Sequence, residues 1–371
     1  MKTVAAVARE AGAELSLEEL ELDDLRATEV RVRMLATGVC HTDAVVRDQI
    51  YPTPLPAVLG HEGAGVVEAV GSGVTTVAAG DHVVLSVNTC GTCRYCLTGE
   101  GTYCVELYAK NFGGSRTDQT TSLTDGEGHR VSSHFFGQSS FAQYANVDER
   151  AVVPVDEDVP LALMGPLGCG IQTGAGAVMN TLRPQAGTSI AVFGAGAVGL
   201  SAVLAAVAVG CGTIIAVDVN TERLDLARSL GATHTVDAGT LDVAETIMSL
   251  TGGAGVDQAL ETSGLSPVLR QAVDSLAVRG TVGVVGAQPP GTETAFETGL
   301  SMTRGWSLRM IIEGDSVPQV FIPRLIELWR QGRFPFDRLV REYPFDQINE
   351  AFAASERGDV IKPVVRFPDA P

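Results

Sequence analysis

Four cysteines within a fifteen-residue segment are the strongest chemical signal in the sequence. Cys90, Cys93, Cys96 and Cys104 follow the spacing Cys-x2-Cys-x2-Cys-x7-Cys, and glycines interrupt the segment. Four thiolates brought together on such a loop suit a tetrahedral structural Zn²⁺ site that has no open coordination position. An iron–sulfur cluster also takes four cysteines, although usually at other spacings, and it is the alternative.

Two further cysteines and one histidine could form a second metal site, this one catalytic. Cys40, His61 and Cys169 lie in three separate glycine-containing segments. A catalytic zinc site has three protein ligands and leaves a fourth position for water or substrate. A histidine ligand needs its other ring nitrogen held, which Asp43 could do, and Glu62 could tune the metal or bind it transiently. The alternatives are that Asp43 caps a helix and that Glu62 forms an ordinary ion pair.

A glycine-rich run predicts a dinucleotide site. Gly194, Gly196 and Gly199 form Gly-x-Gly-x-x-Gly between a predicted strand and a predicted helix, and a second predicted strand ends at Asp218. The glycines permit a tight turn and close approach of a pyrophosphate to the helix N-terminus, and the acidic residue accepts hydrogen bonds from the adenosine ribose. Asp218 would repel a 2′-phosphate, and no Arg or Lys follows at 219–222, so NAD is preferred over NADP.

The region around this run predicts a doubly wound parallel sheet. Residues 186–217 carry no charge and would pass a hydropathy test for a membrane helix, but glycines divide them into strand, helix and strand. Strands and helices then continue to alternate. The strands are predicted at 189–193, 213–217, 234–237, 257–261 and 281–285, and the helices at 198–209, 221–230, 241–250 and 268–276.

Composition narrows the class of protein. The 371 residues include 26 basic and 44 acidic side chains, which gives a net charge of −18. This charge disfavours binding to nucleic acid or to an anionic membrane surface. Seven cysteines, an odd number, and an N-terminus without a signal-peptide core favour a cytoplasmic protein without disulfides. The length predicts two domains.

Several motifs together resemble the zinc-containing medium-chain alcohol dehydrogenase family. They are the four-cysteine loop, the Gly194 run, and Gly60-His61-Glu62 followed by Gly65, Gly71 and Val74. The resemblance covers essentially the whole chain. It implies an α/β protein with a GroES-like, mostly β catalytic domain at 1–170 and 311–371, a zinc lobe at 90–104 and a Rossmann domain at 171–310. It also implies two zinc ions per chain, the catalytic one held by Cys40, His61 and Cys169.

The resemblance further assigns residues to the cofactor. Thr173 and Val198 are expected to shape the nicotinamide pocket, His41 and Lys362 to contact the pyrophosphate, and Arg223 to lie near the adenosine ribose. For the three charged residues the alternative is a solvated position on the surface.

The family resemblance implies that Thr42 binds the substrate oxygen and that the proton released by the alcohol passes through its hydroxyl. Zinc acts as a Lewis acid that lowers the pKa of a bound hydroxyl, and hydride passes to the nicotinamide. Many relatives continue the proton path through a histidine where this chain has Val45. The proton would then leave through the ribose and water, or partly through His41.

Several segments resemble the aryl-alcohol dehydrogenase branch: Val45 and the runs 111–114, 134–141 and 165–173. Ser86 stands where relatives acting on small alcohols often carry an aromatic residue, which leaves room for a ring. We therefore expect primary aromatic or allylic alcohols as substrates and aldehydes as products. Broad aliphatic alcohol oxidation and thiol-dependent formaldehyde oxidation are the competing activities.

More distant alternatives are a zinc-free quinone reductase, a polyol dehydrogenase and a non-catalytic NAD-binding protein. Metal content separates the first and the last from a zinc enzyme. The resemblance also implies a homo-oligomer, because strands near 306–312 pair across a two-fold axis in this family. The length of the segment between Cys104 and Phe141 favours a dimer over a tetramer.

Overall fold

The computed structural model describes residues 1–368, which divide into two compact units. The first unit comprises Met1–Cys169, Val317–Arg324 and the chain from Asp337 onward. The second comprises Gly170–Ser316 and Leu325–Phe336. The sequence predicts a single return to the first domain at residue 311. In the structure, 311–316 and 325–336 still group with the second unit.

The strands are β1 (Lys2–Ala8), β2 (Ser16–Leu22), β3 (Glu29–Gly38), β4 (Ala57–Val58), β5 (Gly63–Val70), β6 (His82–Leu85), β7 (Leu123–Thr124), β8 (Arg130–Val131), β9 (Tyr144–Asp148), β10 (Val152–Val155), β11 (Ser189–Phe193), β12 (Thr213–Asp218), β13 (His234–Asp237), β14 (Val256–Glu261), β15 (Leu276–Val284), β16 (Ser307–Met310), β17 (Val340–Pro344) and β18 (Lys362–Arg366). The α-helices are α1 (His41–Arg47), α2 (Arg94–Leu97), α3 (Leu107–Phe112), α4 (Leu161–Met164), α5 (Gly170–Gly176), α6 (Ala197–Val209), α7 (Thr221–Ser229), α8 (Val243–Leu250), α9 (Ser266–Asp274), α10 (Thr298–Arg304), α11 (Pro318–Arg330) and α12 (Ile348–Glu356).

The first unit is built on two sheets that are mostly antiparallel. One has the order β4-β1-β2-β7-β8, and the other has the order β10-β6-β5-β3-β18-β17 with β9 also paired to β3. β18, near the end of the chain, pairs antiparallel with β3, which places Lys362 beside the segment after Gly38. Large buried side chains such as Phe135, Phe141 and Leu59 fill the core of this unit. This is the predicted mostly β domain.

The second unit contains the predicted parallel sheet, in the order β13-β12-β11-β14-β15-β16. All five strand pairs in it are parallel. The order reverses beside β11, because β12 lies on one side of it and β14 on the other. Ligands of doubly wound folds bind at the carboxyl ends of the strands at such a point.

The uncharged segment 186–217 folds as β11, α6 and β12, as predicted. In the described part of the chain, no single helix has the length and apolar character needed to cross a membrane. One bent pair, Leu161–Gly168 with Gly170–Leu182, meets the length and composition test jointly, with a bend of 57°.

Candidate zinc and cofactor sites

The first unit brings the three predicted catalytic ligands together. The candidate ligand atoms of Cys40, His61, Cys169 and Glu62 all lie within 4.8 Å of one another. Cys40 is the residue before α1, and the Gly38 amide donates to the carbonyl of Glu62 at 3.0 Å, which joins the first two segments. The sequence therefore identified residues that the fold places in one cluster.

Asp43 orients the histidine of this cluster. Its Oδ1 lies 2.8 Å from His61 Nδ1 and accepts the Gly60 amide at 3.1 Å, while Oδ2 accepts the Cys40 amide at 2.9 Å. Burial disfavours the imidazolium, but Asp43 outweighs it and raises the pKa of His61 well above its usual range. Asp43 thus joins the segments of two predicted ligands and also completes the capping box of α1.

The donor set fits a zinc ion. His61 is fully buried, and its Nε2 has no hydrogen-bond partner among the described residues, as expected of a nitrogen that coordinates a metal. The Cys169 thiol, with further contributions from Lys362 and His61, holds the pKa of the Cys40 thiol well below its usual range despite burial. The thiolate is the form in which cysteine binds zinc. Cys40, His61 and Cys169 would hold the ion.

Glu62 lies behind this cluster in a buried ion pair. Lys362 Nζ is 2.9 Å from Oε1 and 3.0 Å from Oε2 of Glu62, and it approaches the Val39 carbonyl at 3.4 Å. Burial raises the pKa of Glu62 to about 7, and Lys362 opposes that rise. Lys362 is only 2% exposed, so a solvated surface position is wrong for it. Its contact with the cofactor pyrophosphate stays a prediction.

A loop that sequence reasoning did not assign to the site packs against the histidine. The Phe136 ring stacks on the His61 ring with centroids 4.4 Å apart, and Phe135 meets it edge-on at 5.5 Å. The loop holds His134, Phe136 and Ser139 at φ values of 63°, 51° and 52°. Non-glycine residues seldom adopt this left-handed conformation, and it persists where surrounding contacts enforce it.

Gln138 ties this loop to the backbone of the site. Its Nε2 donates to the carbonyls of His61 at 3.0 Å and Ser86 at 3.2 Å, and its Oε1 accepts the Gly63 amide at 3.1 Å. The side chain is 1% exposed. The sequence offered a weak signal for it, a polar residue inside a run rich in phenylalanine, glycine and serine.

An aromatic cluster extends from the histidine to the surface. Phe112 contacts Phe136 at 5.3 Å and Phe135 at 5.8 Å between ring centroids. Tyr108 stacks on Phe112 at 5.1 Å and is 56% exposed, and Tyr51 meets Phe112 at 6.2 Å. We call these five residues the aromatic cluster.

Ser86, which precedes the four-cysteine loop in the sequence, is buried, and its hydroxyl donates to the Gly168 carbonyl at 2.7 Å.

The four-cysteine loop forms the second predicted cluster. The sulfur atoms of Cys90, Cys93, Cys96 and Cys104 all lie within 4.8 Å of one another. Backbone amides point at the sulfurs: Cys93 donates to Cys90 at 3.2 Å and Cys90 to Cys104 at 3.3 Å. Hydrogen bonds from Thr92 lower the pKa of the Cys90 thiol to about 6, whereas burial raises the pKa of the Cys104 thiol to about 12. The geometry fits a closed tetrahedral zinc site.

The glycine-rich turn in the second unit matches a dinucleotide cradle. A Cβ on Gly199 would lie 1.8 Å from the Gly194 carbonyl, and Gly194 itself has a φ of 98°. A Cβ on Gly196 would meet nothing within 4 Å, which leaves the side facing a ligand open. Asp218 accepts the Ala195 amide at 2.6 Å and thereby fixes the turn.

The remaining predicted cofactor residues lie at different places. Gly174 packs so closely on α6 that a Cβ would lie 1.9 Å from the Val198 carbonyl, which places the neighbouring Thr173 beside the turn. Arg223 lies on α7, and within residues 1–368 its buried Nε has no hydrogen-bond partner. His41 is exposed at the first position of α1. These cofactor contacts stay predictions.

A parallel dinucleotide sheet in one unit and a buried cysteine–histidine cluster in the other define a zinc-binding dehydrogenase. A model described as "Alcohol dehydrogenase GroES-like domain" matches residues 26–157, and one described as "Zinc-binding dehydrogenase" matches 197–329. The chain is 47% identical to geraniol dehydrogenase of Castellaniella defragrans over 364 residues, 98% of this chain and 97% of that protein. It belongs to the zinc-binding alcohol dehydrogenase family, which confirms the predicted family.

Solved structures of similar sequence have the same fold. The chain is 55% identical to an alcohol dehydrogenase zinc-binding domain protein from Burkholderia ambifaria, with a TM-score of 0.97 and 99% of each chain covered. It is 46% identical to benzyl alcohol dehydrogenase from Acinetobacter calcoaceticus, with a TM-score of 0.96 and coverage of 99% of this chain and 100% of that one. The protein is therefore a zinc-type alcohol dehydrogenase, of a family that uses zinc and NAD(H).

Proposed function

We propose that this protein reversibly oxidises primary aromatic or allylic alcohols to aldehydes with NAD. The observation that carries the proposal is the aromatic cluster, which runs from the exposed Tyr108 ring through Phe112 to Phe136 on the zinc-ligand candidate His61. Benzylic and allylic alcohols share a flat conjugated group next to the carbinol carbon. Such a group packs favourably against the faces and edges of aromatic side chains.

Two further observations support this substrate class. Ser86 is small and turned toward the Gly168 carbonyl, so it adds no bulk of its own beside the cysteine–histidine cluster. The names of two relatives, geraniol dehydrogenase and benzyl alcohol dehydrogenase, belong to an allylic and an aromatic primary alcohol. Broad aliphatic oxidation and thiol-dependent formaldehyde oxidation remain the competing activities.

The chain's own residues would divide the work of the reaction. Bound zinc supplies Lewis acidity that stabilises negative charge on a substrate oxygen. Asp43 keeps Nδ1 of His61 occupied, so Nε2 is the ring nitrogen that would hold the ion. The Thr42 hydroxyl, half-buried one residue before Asp43, would hold the substrate proton at Oγ1. Val45 is buried and apolar and accepts no proton, whereas the exposed His41 can exchange one with water.

Initial rates test the substrate class. We expect kcat/KM for benzyl alcohol and geraniol to exceed that for ethanol by at least about 100-fold with zinc-replete protein and NAD. The variant Phe112→Leu should lower kcat/KM for benzyl alcohol about threefold to tenfold and leave kcat/KM for ethanol unchanged. Phe296→Leu, which alters an aromatic pair with Trp306 in the second unit, is the matched control. Equal rates with ethanol would contradict the proposed substrates.

We also propose two zinc ions per chain and a preference for NAD. The two cysteine-containing clusters provide separate donor sets, one of three ligands and one of four. Asp218 puts a carboxylate at the end of β12, where a 2′-phosphate would be repelled. Metal analysis should give about two zinc per chain. Binding of NADP as tight as that of NAD would contradict the cofactor preference.

A homodimer is proposed from the edge of the parallel sheet. β16 is the last strand of the sheet order, and Met310 on it is 62% exposed. Ile312 nearby is also exposed, and α10 presents exposed Leu300 and Met302. Exposed edge strands with apolar side chains are typical pairing surfaces. Light scattering should give twice the chain mass, and Met310→Lys should shift the protein towards monomer.

A further inference from the structure

Asn111 is a buried asparagine directly before Phe112, the ring at the centre of the aromatic cluster. The residue is 1% exposed, and both ends of its side-chain amide are hydrogen-bonded. Oδ1 accepts the Asn88 amide at 2.9 Å, and Nδ2 donates to the Asn88 carbonyl at 3.0 Å and to the Leu107 carbonyl at 2.6 Å. A buried polar group whose hydrogen bonds are all made is held in one position.

These bonds join α3 to the segment that leads into the four-cysteine loop, because Asn88 precedes Cys90 by two residues. The other end of that loop leads into α3 itself. The Cys104 carbonyl accepts the Leu107 amide at 2.9 Å, and the Cys104 sulfur accepts the Glu106 amide at 3.4 Å. The four-cysteine loop is therefore bonded to α3 at both of its ends.

Asn88 also packs against the loop that contacts His61. A Cβ on Gly137 would lie 2.7 Å from the Asn88 Cβ, so a side chain at position 137 would collide with it. Gly137 follows Phe136, whose ring stacks on His61. The backbone at Asn88 thus contacts both α3, which carries Phe112, and the loop that carries Phe136.

The direction of the Phe112 ring depends on how α3 is held. Neighbouring side chains of an α-helix point about 100° apart, so anchoring Asn111 on Asn88 sets the direction of the next side chain. The Phe112 ring then meets Phe136 edge-on at 5.3 Å between centroids. The Thr53 hydroxyl donates to the Phe112 carbonyl at 2.8 Å and holds the backbone at the end of the helix. A rotation of α3 would move the ring away from Phe136.

We propose that Asn111 is a positioning residue for the alcohol substrate. By bonding α3 to Asn88 it fixes the Phe112 ring, and the fixed ring favours aromatic and allylic alcohols over small aliphatic ones. Attraction between packed groups depends on close contact, so a displaced ring loses it. The specificity rests on the proposed substrate class, whereas the position of Phe112 does not. The four-cysteine loop then supports the aromatic cluster as well as the fold.

Fluorine NMR of the zinc-replete protein without alcohol tests the position of the ring. The chain has 12 phenylalanines, and after labelling with 4-fluorophenylalanine the Phe112 signal is assigned by its loss in Phe112→Leu. Asn111→Leu leaves the buried Asn88 amide and carbonyl unpaired, so the signal should shift by more than its linewidth. The milder Asn111→Asp keeps an acceptor for the Asn88 amide and should shift the signal less, in the same direction.

Initial rates test the consequence for substrates. Asn111→Leu should lower the ratio of kcat/KM for benzyl alcohol to kcat/KM for ethanol about threefold to tenfold, mainly through KM for benzyl alcohol. In the double variant of Asn111→Leu with Phe112→Leu, the ratio should fall no further than in Phe112→Leu alone. Both changes act through one ring, so their effects on the ratio are not additive.

Asn146→Leu is the matched control. Asn146, on β9 of the same unit, is also 1% exposed and makes three hydrogen bonds, one with Arg31 and two with Asp23. The control should lower the melting temperature and leave both the Phe112 signal and the ratio at wild-type values.

Three results would overturn the proposal: an unchanged Phe112 signal in both Asn111 variants, additive losses in the double variant, or the same change of ratio in Asn146→Leu. Equal kcat/KM of the wild type for the two alcohols would overturn the proposed substrate class, and the specificity with it. The fluorine signal would still decide whether Asn111 positions the ring, because no alcohol is present in that measurement.

Discussion

Lys362 and Glu62, separated by three hundred positions in the chain, form a two-pronged ion pair inside the protein, with Nζ 2.9 Å and 3.0 Å from the two carboxylate oxygens. Their side chains are 3% and 0% exposed. A buried carboxylate without such a partner is costly, so the pair lets an acid reside directly behind the zinc-ligand candidates. Burial, with a smaller contribution from Cys40, raises the pKa of Glu62, and the lysine works against that rise.

Replacing only the lysine should therefore lower the stability of the fold more than replacing both members of the pair. Lys362→Met is expected to lower the free energy of unfolding by about 3 to 5 kcal/mol, because it removes the cationic partner of the buried Glu62 carboxylate. The double variant Glu62→Gln with Lys362→Met should recover part of that loss. Urea unfolding measures both.

The surface pair of Lys2 and Glu19 supplies the control for this cycle, since both side chains are more than half exposed. Lys2→Met should change the free energy of unfolding by less than about 1 kcal/mol. A loss as small as this in Lys362→Met would contradict the interpretation.

Gln138 is predicted to position His61, the candidate zinc ligand. Gln138→Leu removes hydrogen bonds to the His61 and Ser86 carbonyls and to the Gly63 amide. We expect zinc to be lost to a chelator about 10 to 100 times faster, and the absorption bands of cobalt-substituted protein to shift.

Ser139→Ala is the control within the same loop. It removes bonds to the Phe135 amide and the Val58 carbonyl, and neither group belongs to a ligand. It should lower stability and leave the cobalt spectrum unchanged. Identical spectra for both variants and the wild type would show that Gln138 only supports the fold.

The four-cysteine loop should lose its metal independently of the other site. Cys96→Ser is expected to reduce the zinc content from about two to about one per chain and to lower the melting temperature, since a structural zinc contributes to folding. Cys211→Ser, which alters a cysteine outside both clusters, should retain both ions. A variant of Cys96 that retained two zinc ions would contradict the assignment.

Acid should destabilise the protein through Glu29. Burial would raise its pKa, but hydrogen bonds from His134 and Arg116 and the charge of His134 lower it from 4.5 to about 2. A carboxyl with a lowered folded-state pKa stabilises the fold above its unfolded pKa and loses that contribution as the pH falls towards the folded value. The free energy of unfolding should therefore decline between about pH 4.5 and about pH 2.

Glu29→Gln tests this by unfolding experiments across that range. The variant should be less stable at neutral pH and decline less steeply in acid, because it lacks the titrating group. Glu68→Gln, at an exposed position of β5, should follow the wild type. Parallel curves for wild type and Glu29→Gln would contradict the role of Glu29.

Much of this architecture could be predicted because local sequence encodes it. A strand, a turn, a helix and a second strand are predicted by the glycines at 194, 196 and 199 and the acid at 218. The structure has these elements within a residue or two of the predicted bounds. Errors appear where periodicity is ambiguous. Leu276 completes the apolar face of the predicted helix 268–276, yet α9 ends at Asp274 and Leu276 begins β15, which pairs with β14.

The unpredicted parts of the sites depend on contacts between distant residues. No local pattern pairs Glu62 with Lys362, because β18 must first return to lie against β3. Left-handed backbone at Phe136 and Glu313 contradicts the preference of those residue types and arises from tertiary packing. The roles of Gln138 and of the aromatic cluster were missed for the same reason.

The short helix α1 has a practical meaning for altering the enzyme. Cys40, Thr42 and Asp43 lie within four consecutive positions at its start, so a candidate metal ligand, the proposed proton-holding hydroxyl and the carboxylate that orients His61 share one turn of backbone. Directed evolution cannot tune these three groups separately, because any shift of the turn moves all of them. Libraries aimed at new alcohols should therefore keep 40–43 fixed and randomise Tyr51 and Phe112, whose rings meet edge-on and which are not part of that turn.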